Sequence, residues 1–205
     1  REMAGKRRRG GRKGAKVKKR QKKNVDEEER KIFVTRVTIY PIKSCGGTEL
    51  TECKLVKEGL EGDRIFMVVD KKSGRFVTQR NCPRMALIRP QLVRSRGSVT
   101  GVRLMALNET SILDCPIVKD LTRRVSVWDD TVTSYDQGDE AANWLSTFLN
   151  RDVRLVYVGD ERRAVGDAEK FAIAPGKDSV AFSDGYPILL ASEESLEDLN
   201  SRLKE

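Results

Sequence analysis

From residue 32 to residue 135, apolar side chains recur mostly at every second position in short runs, and glycine, proline or charged turns interrupt the runs. A period of two places alternate side chains on opposite faces of a strand, whereas a helix needs a period near 3.6. "IFVTRVTIYPI" (32–42) sets Phe33, Thr35, Val37 and Ile39 on one face. "TELTECKLV" (48–56) alternates again, with Leu50 and Leu55 bracketing polar positions, and "RIFMVVD" (64–70) is a continuous apolar strand. "EGLEGD" (58–63) and "KKSGR" (71–75) read as turns. Pro83 and Pro90 restrict "NCPRMALIRPQLV" to short or edge strands. Further short strands are predicted near 102–107, 111–118, 125–128 and 131–135. Many short strands at close spacing predict an antiparallel barrel or sandwich.

Two later stretches switch to a helical period. "DEAANWLSTFL" (139–149) places Ala141, Trp144, Leu145 and Phe148 on one side, with acids in the first turn. "SEESLEDLNSRLK" (192–204) opens on Ser192 as N-cap, with Glu193 and Glu194 near the positive helix end. Leu196, Leu199 and Leu203 form its stripe, expected to be buried. Between the helices lie a strand "VRLVYV" (153–158), a polar loop through 159–179, and "VAFSDGYPILLAS". That last stretch reads as a strand, a turn and a buried strand over 187–191. Strand 187–191 is thin cover for the leucine stripe, so the second half reads as an incomplete domain.

Charge divides the chain unequally. Residues 1–24 hold 13 of the 40 Lys and Arg and one of the 31 acids, a net +12. The remainder carries 27 basic and 30 acidic residues, a net −3. The first 24 residues have too few apolar groups to bury a core and are expected to be disordered when free. They are either a solvated tail or an arm for RNA, DNA or anionic lipid. They contain no aromatic residue to stack on bases, which argues against sequence-specific reading. "VDEEERK" (25–31) then turns acidic, like a hinge. No stretch of 18 apolar residues occurs, so no spanning helix is expected.

The chain has four cysteines, Cys45, Cys53, Cys82 and Cys115, and no histidine. None of the cysteines forms a C-x-x-C pair, which argues against a zinc site, and they read as reduced thiols. Without histidine, a Ser-His or Cys-His mechanism within this chain is excluded.

Three clusters have the chemistry to hold an anion. The first is Lys43-Ser44 with Gly46-Gly47, a charge, a hydroxyl and backbone open to close approach; taken alone, a tight turn is the simpler explanation. The second is Arg64 at the start of a strand, which either forks onto a phosphate or pairs with Asp63 at the surface. The third is "FSDGYP" (182–187), either a ligand-lining turn or an Asp-Gly turn limited by Pro187.

In this order, "IYPIKSCGG", "GLEGDRIFMVVD", "GRFVTQRNCPRMALIRP", "VSVWDDTV", "DQGDEAANWLSTFL", "VRLVYV" and "FSDGYPILLASEESLEDLNSRL" resemble the landmarks of the MOSC family. These are domains related to the C-terminal part of molybdenum cofactor sulfurase, and the likeness extends to the mitochondrial amidoxime-reducing group within them. The resemblance implies a mixed α+β, mainly β fold. It divides the chain into a basic tail and hinge (1–31), an N-terminal MOSC β-barrel-like region (32–135) and the start of an incomplete MOSC domain (136–205). It implies a pyranopterin molybdenum cofactor bound between the two regions, with Lys43, Ser44 and Arg64 on its phosphate and pterin, and Gly185 and Tyr186 lining it. It further implies reduction of N-hydroxylated compounds, a cytochrome b5 type electron donor, and the cytosolic face of the mitochondrial outer membrane. In the family, an Arg-Pro-Asn segment and then the molybdenum-ligating cysteine follow the helix matched by 192–204, and this sequence stops before both. The alternative is a non-catalytic module of the same fold, anchored by its basic tail to RNA or an RNA–protein particle.

Overall fold

The structure is a computed structural model that describes residues 32–166 and 178–203. The basic segment and the acidic hinge lie outside the described residues. The chain divides into two units between Val34 and Thr35, and the second carries the fold.

The second unit is mostly β. Its strands are β1 (Val37–Ile39), β2 (Thr48–Leu50), β3 (Leu55–Val56), β4 (Gly59–Leu60), β5 (Phe66–Asp70), β6 (Gln91–Ser95), β7 (Ser98–Leu104) and β8 (Leu113–Pro116). They continue with β9 (Thr122–Val127), β10 (Asp130–Asp136), β11 (Val153–Val158), β12 (Arg163–Ala164) and β13 (Ser179–Val180). Two α-helices lie among the described residues, α1 (Gly138–Leu149) and α2 (Glu193–Arg202), and neither is long and apolar enough to cross a membrane.

A four-stranded antiparallel sheet runs β5-β11-β10-β9, with Val156 opposite Met67 and Val132 opposite Val125. A three-stranded sheet runs β6-β7-β8, and β1-β2, β3-β4 and β12-β13 form short pairs. The unbroken apolar run of β5 has a simple cause. Phe66 and Val68 enter one core with Val153 and Leu155, while Met67 and Val69 enter a second core with Val156 and Val158. Both faces of β5 and β11 are therefore buried, and the one charged side chain inside β11, Arg154, is itself paired with carboxylates. Helix α1 covers the first core with Ala141, Leu145, Phe148 and Leu149. The β9–β10 hairpin and Phe182 close the second.

Helix α1 begins where Asp136 accepts the Gly138 amide at 3.0 Å. It ends at Asn150, whose left-handed φ of 50° terminates the helix. Buried Arg154 ties it to β11 by donating to Asp136 and, at 2.5 Å, to Asp139 of the first turn.

Several local expectations are corrected. The first strand starts at Val37 rather than near Phe33, because only Val37–Ile39 find a partner, in β2. The 48–56 alternation breaks into β2 and β3, and Leu55 is exposed. Pro83 opens a short 3-10 helix (Pro83–Leu87), the position at which its missing N–H is harmless, while β6 is indeed an edge strand. Residues 187–191 form no strand, and Leu189 and Leu190 are 81% and 87% exposed. An apolar run becomes a strand only when another strand satisfies its backbone, and no strand among the described residues pairs with this one. Ser192 caps α2 as expected, accepting from the Ser195 amide at 3.2 Å, but Leu196, Leu199 and Leu203 are exposed rather than buried.

Candidate functional site

Three chain segments are pinned together by their backbones. Arg64 N donates to Tyr40 O at 2.7 Å, Phe66 N to Pro41 O at 3.0 Å and Lys43 N to Phe66 O at 2.9 Å, so 40–43 runs alongside 64–66. Phe182 N donates to Arg64 O at 3.1 Å and brings in the third segment. With Phe182 anchored in the second core, Ser183, Asp184 and Gly185 follow at its rim.

Lys43 sits at the centre and is only 5% exposed. Its Nζ donates to Phe182 O at 2.7 Å and to Asp184 Oδ1 at 2.6 Å. The rings of Phe76 and Trp128 lie 5.8 and 6.0 Å from it, within reach of a cation–π contact. Burial pushes the Lys43 pKa below the usual lysine value, the Asp184 hydrogen bond and charge partly offset this, and Arg163 and Arg64 add to the lowering. For Asp184, burial alone acts upward. The hydrogen bond and charge of Lys43, the Trp128 indole and Arg64 outweigh it and hold the carboxylate below its usual range.

Arg64 stacks over Tyr40, with its guanidinium carbon 4.9 Å from the ring centroid, and one guanidinium nitrogen bonds Asp63. The pair is not a surface pair, because Asp63 is 6% exposed and also accepts the Tyr40 amide at 2.7 Å. Burial raises the Asp63 pKa, against the lowering pull of Arg64 and the Tyr40 amide. Trp128 Nε1 donates to Asp184 Oδ1 at 3.1 Å, and Arg80 lies 5.5 Å over the Trp128 ring.

Backbone conformation marks the same place. Ser44 (φ 64°), Arg64 (φ 50°) and Trp128 (φ 55°) all adopt the left-handed region without being glycine. Such residues are held against a local energetic preference by their surroundings, and they concentrate at functional sites.

The first cluster is both a turn and part of the site. Cys45 N closes the turn onto Ile42 O at 3.1 Å. The two glycines have another role than facing a ligand. Gly46 N donates to Ile88 O at 2.8 Å, and a Cβ on Gly46 would lie 2.8 Å from that same carbonyl oxygen. Ser44 turns its carbonyl to Gln79 Nε2 at 3.0 Å, and its hydroxyl makes no hydrogen bond among the described residues. Lys43 and Arg64 thus meet the 182–184 turn, and Ser44 adjoins them as the residue after Lys43. The Gly185 carbonyl accepts from Gly166 N at 2.7 Å, and Tyr186 follows, 45% exposed.

Sequence reasoning misses three participants. Arg163 is buried and binds the turn from behind, donating to Ser183 O at 2.6 Å, Asp184 O at 3.3 Å and Asp130 Oδ2 at 2.8 Å. Trp128 and Arg80 complete the rim. A tryptophan at the Asp-Asp turn of "VSVWDDTV" was a visible signal for Trp128, since a large aromatic at a hairpin tip needs a reason. Arg162-Arg163 carries no local sign of which arginine turns inward.

Chemically the arrangement suits an anion with a flat portion. Arg64 and Arg80 offer guanidinium groups beside aromatic faces, and Ser44 offers a hydroxyl. It does not supply a soft metal ligand. Cys45 and Cys115 are buried, and desolvation pushes both thiols up, Cys115 to about 12, so they stay protonated at neutral pH. Among the described residues no group of three Cys, Asp or Glu side chains is placed to hold a metal ion.

Comparison with known proteins points to one family. A profile described as the MOSC N-terminal beta barrel domain matches residues 31–152. Mitochondrial amidoxime-reducing component 1 of Mus musculus is 35% identical over 179 residues, covering 83% of this chain and 51% of that protein. The Homo sapiens protein of the same name is 32% identical with the same coverage. Human molybdenum cofactor sulfurase is 36% identical over 124 residues, 60% of this chain and 14% of that one. The chain therefore spans about half the length of the amidoxime-reducing relatives. A solution structure from Bordetella bronchiseptica aligns at 21% identity with a TM-score of 0.39, over 54% of this chain and 90% of that one.

Proposed function

This chain belongs to the MOSC N-terminal beta barrel domain family, and we propose that it binds a pyranopterin molybdenum cofactor through that group's phosphate and pterin. Lys43, Ser44 and Arg64 hold the anionic end, Tyr40 and Trp128 flank it, and Gly185 and Tyr186 border it. The observation that carries this reading is the meeting of Lys43 and Arg64 at the Asp184 turn, with Ser44, Arg64 and Trp128 all in left-handed backbone. The names of the relatives, which refer to amidoxime reduction and to the molybdenum cofactor, support it.

Bound there, the cofactor would supply the redox chemistry for reduction of an N-hydroxylated compound, with electrons from a cytochrome b5 type donor. The residues of this chain have narrower tasks. Arg64 would hold the anionic end, while Tyr40 keeps its guanidinium plane in place. Lys43 supplies a positive charge of low hydration, and Arg163 fixes the turn. The names of the same relatives support a mitochondrial location; the cytosolic face of the outer membrane is the placement we propose, and protease sensitivity in intact mitochondria tests it.

The test of binding is molybdenum and pterin content of the purified chain beside Lys43→Ala and Arg64→Ala. Both variants should lose most of either component. Absence of both from the unaltered chain, under conditions that load a full-length relative, would overturn the reading.

A second reading rests on the +12 segment of residues 1–24. In it the fold is a non-catalytic module held by that arm on RNA or an RNA–protein particle. Deleting 1–24 should then abolish salt-sensitive RNA binding, and unchanged binding after the deletion would overturn it.

A further inference from the structure

We propose that the outward face shared by Arg84, Leu87, Arg89 and Leu107 is a membrane-contact surface, by which the folded domain rests on bilayers with anionic headgroups. The cofactor site takes no part in it.

The sequence supplies the charge. From Lys71 to Asn108 the chain holds nine Lys and Arg and no Asp or Glu. Two of the nine are neutralised, Arg94 by Glu61 and Arg103 by Asp114. Arg84 and Arg89 are exposed and form no ion pair among the described residues.

The fold gathers these two arginines with two leucines. Arg84 and Leu87 lie three residues apart in the 3-10 helix, and side chains at that spacing stack on one side of such a helix. The chain turns extended at Ile88, which pairs antiparallel with Ala106. Arg89 N donates to Met105 O at 2.7 Å and Leu107 N to Leu87 O at 3.0 Å, so Leu87 stands opposite Leu107. Ile88 is fully buried and Ala106 packs on the first core, so their chain neighbours point the other way. Leu87, Arg89 and Leu107 therefore share the outer face, where Leu87 is 38% and Leu107 46% exposed. Both guanidinium groups are held in position before any ligand arrives. Arg84 lies 4.7 Å over the Phe148 ring, and the Arg89 stem runs so close to Gly46 that a Cβ there would lie 2.9 Å from its Cδ.

Composition and size decide the partner. The arginines suit any polyanion, but an RNA backbone gains nothing from the exposed leucines, whereas the acyl boundary of a bilayer does. A stable protein interface takes about 800 Å² and roughly 20–30 residues from each partner, and this face offers four. A membrane sets no such threshold. Each Lys or Arg beside an anionic leaflet adds about fivefold to binding, and each buried apolar group adds its own share. The net +12 of residues 1–24 supplies a second attraction, and firm attachment to a bilayer takes two signals.

The experiment is co-sedimentation of the purified full chain with vesicles of phosphatidylcholine alone and with about one quarter phosphatidylserine. The anionic vesicles should bind at least about tenfold more tightly. Arg84→Gln with Arg89→Gln should weaken that binding about 25-fold, and Arg84→Lys with Arg89→Lys should recover most of it, since the charge is kept. Leu87→Ser with Leu107→Ser should weaken it about fivefold, and equally at high salt, because an apolar contact is not screened. Deleting 1–24, which leaves every described residue in place, should weaken binding without abolishing it. If both double variants bind as the unaltered chain does and the deletion removes all binding, the basic segment acts alone and the proposal is overturned. If the arginine variants lose binding to single-stranded oligouridylate but not to vesicles, the face belongs to RNA and the proposal is likewise overturned. Equal binding to neutral vesicles, or binding to neither kind, overturns it too. None of these outcomes bears on the cofactor reading, which molybdenum content tests separately.

Discussion

Lys43 and Asp184 stand 141 residues apart in the chain and 2.6 Å apart in the fold. The two ends of this ion pair live in different media, since the lysine side chain is 6% exposed and the aspartate side chain 73%. The bond therefore joins a desolvated cation to a hydrated anion. It connects the turn after β1 to the turn after β13, and the candidate site exists only where the two meet.

The buried ammonium leaves a signature in the pH dependence of stability. Burial places the folded pKa of Lys43 below its usual value of 10.5. The unfolded chain then binds more protons between those two values, so this group's contribution is full above 10.5 and is lost as pH falls through the folded value. Lys43→Met lacks it. The stability difference between the wild type and Lys43→Met, from urea titrations at several pH values, should move in favour of the wild type as pH rises toward 10.5.

Asp63 behaves in the opposite sense to Asp184 and Asp136, although it too is paired, with Arg64. Its folded pKa is raised by burial, so its contribution is full below the unfolded value of 3.8 and is lost as pH rises through the folded one. Asp63→Asn keeps an oxygen for the Tyr40 amide and should gain stability relative to the wild type as pH rises through that window. A difference that does not change with pH would contradict the buried carboxylate.

Asp136 joins Arg154, Arg123 and the start of α1. Burial acts upward on it, but the bonds from Arg154, Arg123 and the Gly138 amide prevail and hold its pKa below 3.8. Its contribution is present above that value and is lost as pH falls through the folded one. Asp136→Asn leaves buried Arg154 with the exposed Asp139 as its carboxylate partner. It should destabilise by about 3 kcal/mol, and its stability should fall less steeply in acid than that of the wild type.

Arg163→Lys tests whether the turn needs a fork. One ammonium group cannot reproduce donation to Ser183 O, Asp184 O and Asp130 together. The variant should lose about 2 kcal/mol of stability. It should also weaken retention of the proposed cofactor, although Arg163 does not face it. Unchanged molybdenum content would show that the turn holds its shape without this arginine.

Two leucines separate core from surface. Leu155 is fully buried between α1 and β5, and Leu155→Ala should cost about 2–5 kcal/mol in urea denaturation. Leu190 is 87% exposed, and Leu190→Ser should change stability by no more than about 0.5 kcal/mol.

What the sequence by itself determined is whatever a short window of side chains decides. A continuous apolar run located β5, short apolar stretches located β8 to β11 and only the end of β7, and the helical period located α1, because each pattern states which side chains must leave water. The same pattern misread 187–191 and the leucine stripe of α2, since an apolar run does not say whether a partner lies beside it. Lys43, Ser44 and Arg64 were legible as anion-binding residue types, but each had an ordinary local explanation. Only the tertiary structure decided that Lys43 meets Asp184, that Arg163 fixes the turn, and that Gly46 packs on Ile88 rather than facing a ligand. Those outcomes depend on contacts between segments far apart in the chain, where burial and charge act on whole surfaces and no local spacing records them.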